Sequence, residues 1–116
     1  MHYTIYHNPS CGTSRTVLAT LRDAGIEPEI VLYLKNPPAI ETLRSLRDAL
    51  GQPAHALLRT KEPLCAELGL ERPGIAEEQV LAAIAEHPVL LNRPVVQAGD
   101  RARVCRPADV VRELLA

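Results

Sequence analysis

The stretch His7-Asn8-Pro9-Ser10-Cys11-Gly12-Thr13-Ser14-Arg15 lies between two runs of different periodicity. Before it, His2-Tyr3-Thr4-Ile5-Tyr6 alternates in the manner of a strand. After it, Val17, Leu18, Leu21 and Ala24 fall on one face of a helix, and Gly25 supplies a C-terminal stop. Cys11 is therefore expected where a strand ends and a helix begins. Free N–H groups at a helix N-terminus favour negative charge, so a thiolate gains stability there and an oxyanion finds donors. His7 and Arg15 add donors or positive charge. Gly12, Thr13 and Ser14 are small enough to let a ligand approach the backbone. The alternative is an inert buried cysteine in an ordinary turn; the loop context favours the reactive thiol.

Outward from this stretch, Glu29-Ile30-Val31-Leu32-Tyr33-Leu34 is short and rich in β-formers. Its apolar character predicts a second strand covered on both faces, parallel to the first through a right-handed crossover. Asn36-Pro37-Pro38 breaks the chain. Apolar spacing then predicts helices over Ile40–Leu50 (ended by Gly51), over 62–70 and over 75–86, with a short helical or turn segment at 55–59. This block, about 36–87, reads as a helical insertion into one domain spanning 1–116. Strands follow at Val89-Leu90-Leu91 and Val95-Val96-Gln97. Ala98-Gly99-Asp100 is the turn of a hairpin that returns along Arg101-Ala102-Arg103-Val104-Cys105. Pro107 opens a last helix over 108–115. The order βαβ, helical insertion, β-hairpin, α describes an α/β fold of thioredoxin-like topology with a mixed sheet.

Composition narrows the function classes. A net charge of −1 offers neither a basic footprint for nucleic acid nor a polybasic membrane patch. Phe and Trp are absent, so the core must be built from Leu, Val, Ile and Ala. No apolar run is long enough to span a bilayer, and no signal peptide is visible. Cys11, Cys65 and Cys105 are spaced for neither a disulfide framework nor a zinc site, and His2, His55 and His87 show no metal-ligand spacing. The expectation is a cytoplasmic protein with reduced thiols and no metal. Cys65 and Cys105 are expected to serve packing.

Arg59, Arg93 and Arg106 each stand at a segment boundary. Singly, each reads as a solvated surface residue. Converging on a thiolate, they would lower its pKa and grip a tetrahedral dianion through bidentate forks. Spacing alone does not bring them together. In a thioredoxin-like order, though, a proline at the strand start after Arg93 often faces the active cysteine, frequently as a cis peptide.

The segment Ile5-Tyr6-His7-Asn8-Pro9-Ser10-Cys11-Gly12-Thr13-Ser14-Arg15 resembles the opening of the glutaredoxin-linked arsenate reductases of the ArsC type. Leu32-Tyr33-Leu34, Leu57-Leu58-Arg59, His87-Pro88-Val89-Leu90-Leu91-Asn92-Arg93-Pro94-Val95-Val96 and Cys105-Arg106-Pro107 resemble the same family in the same order. Thr60-Lys61-Glu62-Pro63 is similar to a shorter, arsenate-reductase-like branch. The resemblance implies that Cys11 is a nucleophile with His7 close by. It implies an oxyanion site formed by Arg59, Arg93 and Arg106, which we extend to Gly12, Thr13, Ser14 and Arg15 of the cysteine loop.

It also implies arsenate as substrate, glutathione as co-substrate, glutaredoxin as partner and no bound cofactor. Ser14 stands where a dithiol oxidoreductase would carry its resolving cysteine, which is consistent with an external thiol. Two other readings stay open. One is a regulatory or binding protein of the Spx type, which shares the fold but typically carries Cys-x-x-Cys where this chain has Cys11 and Ser14. The other is a thiol–disulfide oxidoreductase without arsenic chemistry.

Overall fold

Four residues, Tyr3–Tyr6, form the strand (β1) on which the sheet is assembled. A computed structural model describes residues 1–115, which gather into two compact units: 1–36 with 93–115, and Pro37–Asn92. In the first unit, helix α1 (Gly12–Asp23) leads from β1 to the parallel strand β2 (Glu29–Val31). Strands β3 (Val95–Ala98) and β4 (Arg101–Val104) complete a mixed sheet in the order β2-β1-β3-β4. β1 pairs antiparallel with β3, Ile5 facing Val96, and β3 pairs antiparallel with β4 across a hairpin whose Gly99 has φ 63°. This is the α/β, thioredoxin-like arrangement expected from the element order.

Period-2 alternation sets the core of this unit. Tyr3, Ile5, Val96 and Ala98 pack with Val17, Leu18 and Leu21 of α1 and with Val111 and Leu114 near the C-terminus. The 3-10 helix Ala108–Leu114 is tied to β1 by the Tyr3 hydroxyl, which donates to the Leu114 carbonyl at 2.7 Å. Cys105 joins the same cluster, fully buried, in keeping with a packing role.

Several elements differ from the sequence reading. β2 ends at Val31 rather than Leu34, because the Leu32 carbonyl takes the N–H groups of Lys35 and Asn36, both at 2.9 Å, and turns the chain. β2 also lies at the sheet edge with Glu29 and Ile30 exposed, so it is not covered on both faces. Pro88–Leu90 forms a 3-10 turn where a strand was expected, and Leu91 keeps only an isolated antiparallel bridge to Leu58. Proline suits the first position of such a turn and cannot donate to a ladder. The last helix is 3-10 rather than α, with Pro107 as the residue before it.

In the second unit, α2 (Ile40–Leu50) ends at Gly51, whose φ of 68° is the left-handed conformation that favours glycine. A 3-10 turn (Ala54–Leu57) and a five-residue helix α3 (Pro63–Glu67) precede α4 (Glu77–Glu86). Leu43, Leu46 and Leu50 of α2 and Val80, Leu81 and Ile84 of α4 are buried. Arg44 joins the two helices by donating to both carboxylate oxygens of Glu78. No helix among the described residues is long and apolar enough to cross a membrane.

Leu21 is fully buried between α1 and the sheet, whereas Ile30 is 37 % exposed on the edge strand. Leu21→Ala is expected to cost about 2–5 kcal/mol of stability through lost burial and a cavity. Ile30→Ala should fall within about 0.5 kcal/mol of the parent, as surface changes do. Urea unfolding monitored by circular dichroism checks both.

Candidate active site

The site is built at one end of the sheet. β1 runs out at Tyr6, and the chain crosses to α1 through Asn8-Pro9-Ser10-Cys11. Asn8 shapes this crossing in the way Asn-Pro turns do. Its side-chain oxygen accepts the Ser10 N–H at 2.9 Å, and its carbonyl accepts the Cys11 N–H at 3.0 Å. Sequence reasoning assigned Asn8 no task, although an Asn immediately before Pro is a turn signal that could have marked it.

Cys11 then occupies the N-cap of α1 in extended conformation, its carbonyl accepting the first helical N–H, from Arg15, at 3.0 Å. The N–H groups of Ser14 and Thr13 act on its sulfur electrostatically, short of a formed capping hydrogen bond.

Strand register delivers the arginines. Beyond Val95 and Val104 the antiparallel alignment continues, the Cys105 N–H donating to the Pro94 carbonyl at 2.9 Å. One step further come Arg93 and Arg106, each followed by a cis X–Pro bond. The Arg106 guanidinium reaches the Arg93 carbonyl at 3.2 Å and the Cys11 sulfur at 3.8 Å, all through Nη1. The pairing of Tyr6 with Val95 brings the end of β1 to the same place.

The thiol answers to opposing forces. Partial burial pushes its pKa up, but the Ser14 N–H, the positive charge of Arg93, the Thr13 N–H and the Arg106 hydrogen bond together hold it below the ordinary thiol value. The other two thiols go the opposite way. Burial raises Cys105 to about 12, helped by Glu113, and burial raises Cys65. Half-buried Cys11 is thus the thiol poised to ionise.

His7 is buried beneath the loop, its Nδ1 2.6 Å from the hydroxyl of fully buried Ser14. That hydroxyl also accepts the Asn8 N–H at 3.1 Å. Burial, with the charges of Arg22 and Arg15, lowers the His7 pKa and favours the neutral imidazole. His7 therefore lends the site a hydrogen bond rather than a charge.

Of the residues expected at the site, the nucleophile Cys11 and the oxyanion-binding candidates Thr13, Ser14, Arg93 and Arg106 come together. Gly12 opens α1 beside them. Arg15 turns back and donates to the Pro9 carbonyl at 2.8 Å. Arg59 belongs to the other unit, where its N–H donates to the Leu90 carbonyl at 2.7 Å and its guanidinium lies 3.4 Å from Glu62. No group of three or more His, Cys, Asp or Glu side chains among the described residues is arranged to hold a metal.

A model of the ArsC family matches residues 6–114. The chain belongs to the ArsC family. Within the range of ArsC proteins, it is 50 % identical over 115 residues to an arsenate reductase of Rhizobium meliloti, across 99 % of this chain and 82 % of the relative. It is 44 % identical over 112 residues to the Escherichia coli protein YfgD, across 96 % of this chain and 94 % of that one. The solved structure of an arsenate reductase from Vibrio cholerae superposes with a TM-score of 0.95 at 41 % identity, covering 99 % of this chain and 98 % of the other.

In this ArsC protein, iodoacetamide at neutral pH is expected to label Cys11 first, with Cys65 and Cys105 reacting only on unfolding. The rate at Cys11 should rise with pH to a midpoint below that of a free thiol. Arg106→Ala should move that midpoint upward, since it removes a donor to the thiolate. Peptide mass spectrometry of labelling against time and pH measures all three.

Proposed function

We propose that this protein reduces arsenate to arsenite, with Cys11 as the nucleophile. One observation carries the reading: a thiol of lowered pKa lies between a helix N-terminus and the Arg106 guanidinium, 3.8 Å from its sulfur. The arsenate reductases among its relatives, one 50 % identical, supply the substrate class. Thiolate and oxyanion need the same environment, because positive charge and oriented N–H groups stabilise both.

In the first step the Cys11 thiolate attacks arsenic(V), forming an S–As bond, and one arsenate oxygen leaves as water after taking up protons. Arg93, Arg106 and the N–H groups of Thr13 and Ser14 hold the remaining oxygens and the charge that develops on them. The thiol of glutathione then displaces a second oxygen, again as water. The glutaredoxin thiolate attacks the glutathione sulfur, so that an S–S bond forms and the S–As bond breaks. Its electron pair stays on arsenic, which becomes arsenic(III). Water finally releases arsenite from Cys11 and restores the thiol.

An external thiol suits a loop with Ser14 in the resolving position, tied by its hydroxyl to His7. Buried Cys105, its pKa raised to about 12, is a poor internal substitute. The same chemistry implies a reducing, cytoplasmic setting and no resident cofactor. Plain thiol–disulfide exchange would leave the pair of arginines beside the sulfur without a task.

The test couples arsenate, glutathione, glutaredoxin and glutathione reductase to NADPH oxidation. Cys11→Ser should abolish turnover, and Cys105→Ser should keep most of it. Arg93→Lys and Arg106→Lys keep the charge but lose the fork, so each should lower kcat/KM for arsenate roughly ten- to a hundredfold. Turnover of glutathione mixed disulfides but not of arsenate would sink the proposal, as would unchanged arsenate efficiency in both lysine variants.

A further inference from the structure

The peptide group between Pro9 and Ser10, just ahead of Cys11, is held at both ends. Its N–H is taken by the Asn8 side-chain oxygen at 2.9 Å, a bond within the loop itself. Its carbonyl is taken by Arg15 Nη1 at 2.8 Å, a bond that reaches the loop from α1. The reach follows from helix geometry. Side chains on a helix tilt toward its N-terminus, so a long side chain in the second turn lies back over the first.

A Cβ built on Gly12 would sit 3.6 Å from Arg15 Nη2, so the guanidinium lies against the first turn rather than extending into solvent. Pro9 and Ser10 are exposed, so burial does not hold them as it holds β1. The tether therefore supplies order that burial does not.

We infer that Arg15 is a positioning residue, which locks the Pro9–Ser10 peptide to α1 and so keeps the Cys11 sulfur facing the N–H groups of Thr13 and Ser14. This assignment differs from an anion-binding role, because the fork is turned toward a carbonyl of the loop. It rests on Cys11 being the reactive thiol but not on arsenate being the substrate. The consequence is geometric: a loop free to swing would carry the sulfur away from the oriented N–H groups and lose reactive thiolate.

The experiment compares the parent with Arg15→Met, which keeps the apolar stem without donors, and Arg15→Lys, which keeps the charge and a single donor nitrogen. Position 15 is exposed on a helix and methionine is a good helix former, so the fold is expected to persist. A urea midpoint checks this, and Arg15→Gln, with a shorter reach, serves if Met fails. Arg15→Met should move the pH midpoint of Cys11 alkylation up by about one unit, roughly tenfold in thiolate below the midpoint. Exchange of the Ser10 amide should quicken, and Arg15→Lys should recover most of both.

The Arg15→Met shift should survive about 0.5 M salt, which would erase an effect of charge at a distance. Phosphate, used as the anion probe, should protect Cys11 in Arg15→Met as well as in the parent. An unmoved midpoint, a shift abolished by salt, or a tenfold loss of phosphate protection would each overturn the inference. Absence of phosphate protection in the parent would count against the oxyanion reading alone, since the midpoint and amide exchange still decide the role of Arg15.

Discussion

The antiparallel register shared by β1, β3 and β4 is the constraint on which the site depends. Ile5 opposite Val96 and Val96 opposite Arg103 fix what lies beyond the strand ends. Past Tyr6 comes the cysteine loop, past Val95 comes Arg93, and past Val104 comes Arg106. A slip of one residue in the β1–β3 ladder would turn buried Val96 outward, and one in the β3–β4 ladder would turn buried Ala102 outward and carry Arg106 to the wrong face. The apolar cluster of Tyr3, Ile5, Val96 and Ala98 thus holds the register of the chemistry as well as the sheet.

The cysteine loop shows how a small structure resolves competing forces on one atom. Burial alone would keep Cys11 protonated, as it does for Cys105, whose pKa is raised to about 12 in the same unit. The difference lies in what faces each sulfur. Cys11 meets two oriented N–H groups and two guanidinium groups, while Cys105 lies among apolar side chains, where burial and Glu113 outweigh the opposing charge of Arg103. Sulfur chemistry is the same; its surroundings decide which thiol is a nucleophile. His7 stays neutral, because burial and the positive charges of Arg22 and Arg15 disfavour its imidazolium.

Much of this was legible in the sequence, for identifiable reasons. The change from alternating to helical periodicity around Cys11 is a local property of the chain, so the strand end and helix start could be read directly. Gly25, Gly51 and Gly99 marked real chain reversals, since all three take positive φ. The hairpin was legible because its turn chemistry and alternation agree. Elements whose form depends on neighbours were read less well. Glu29 to Leu34 has the composition of a buried strand, yet the chain turns at Leu32 and leaves β2 short and exposed at the edge. Val89-Leu90-Leu91 has strand composition as well, but Pro88 starts a 3-10 turn there.

The site divides along the same line. That a small-residue loop with one thiol joins a strand to a helix is written in the local sequence, because periodicity, glycine and helix N-terminal electrostatics act over a few residues. Strand pairing, by contrast, brings Arg93 and Arg106 to that thiol. Arg93 and Arg106 arrive from positions far along the chain through strand pairing, Arg15 turns to the Pro9 carbonyl, and Arg59 makes its contacts in the other unit. All four look alike in sequence, since a guanidinium carries the same charge everywhere. The different contacts each makes come from backbone register and side-chain direction, which long-range pairing sets and local sequence does not.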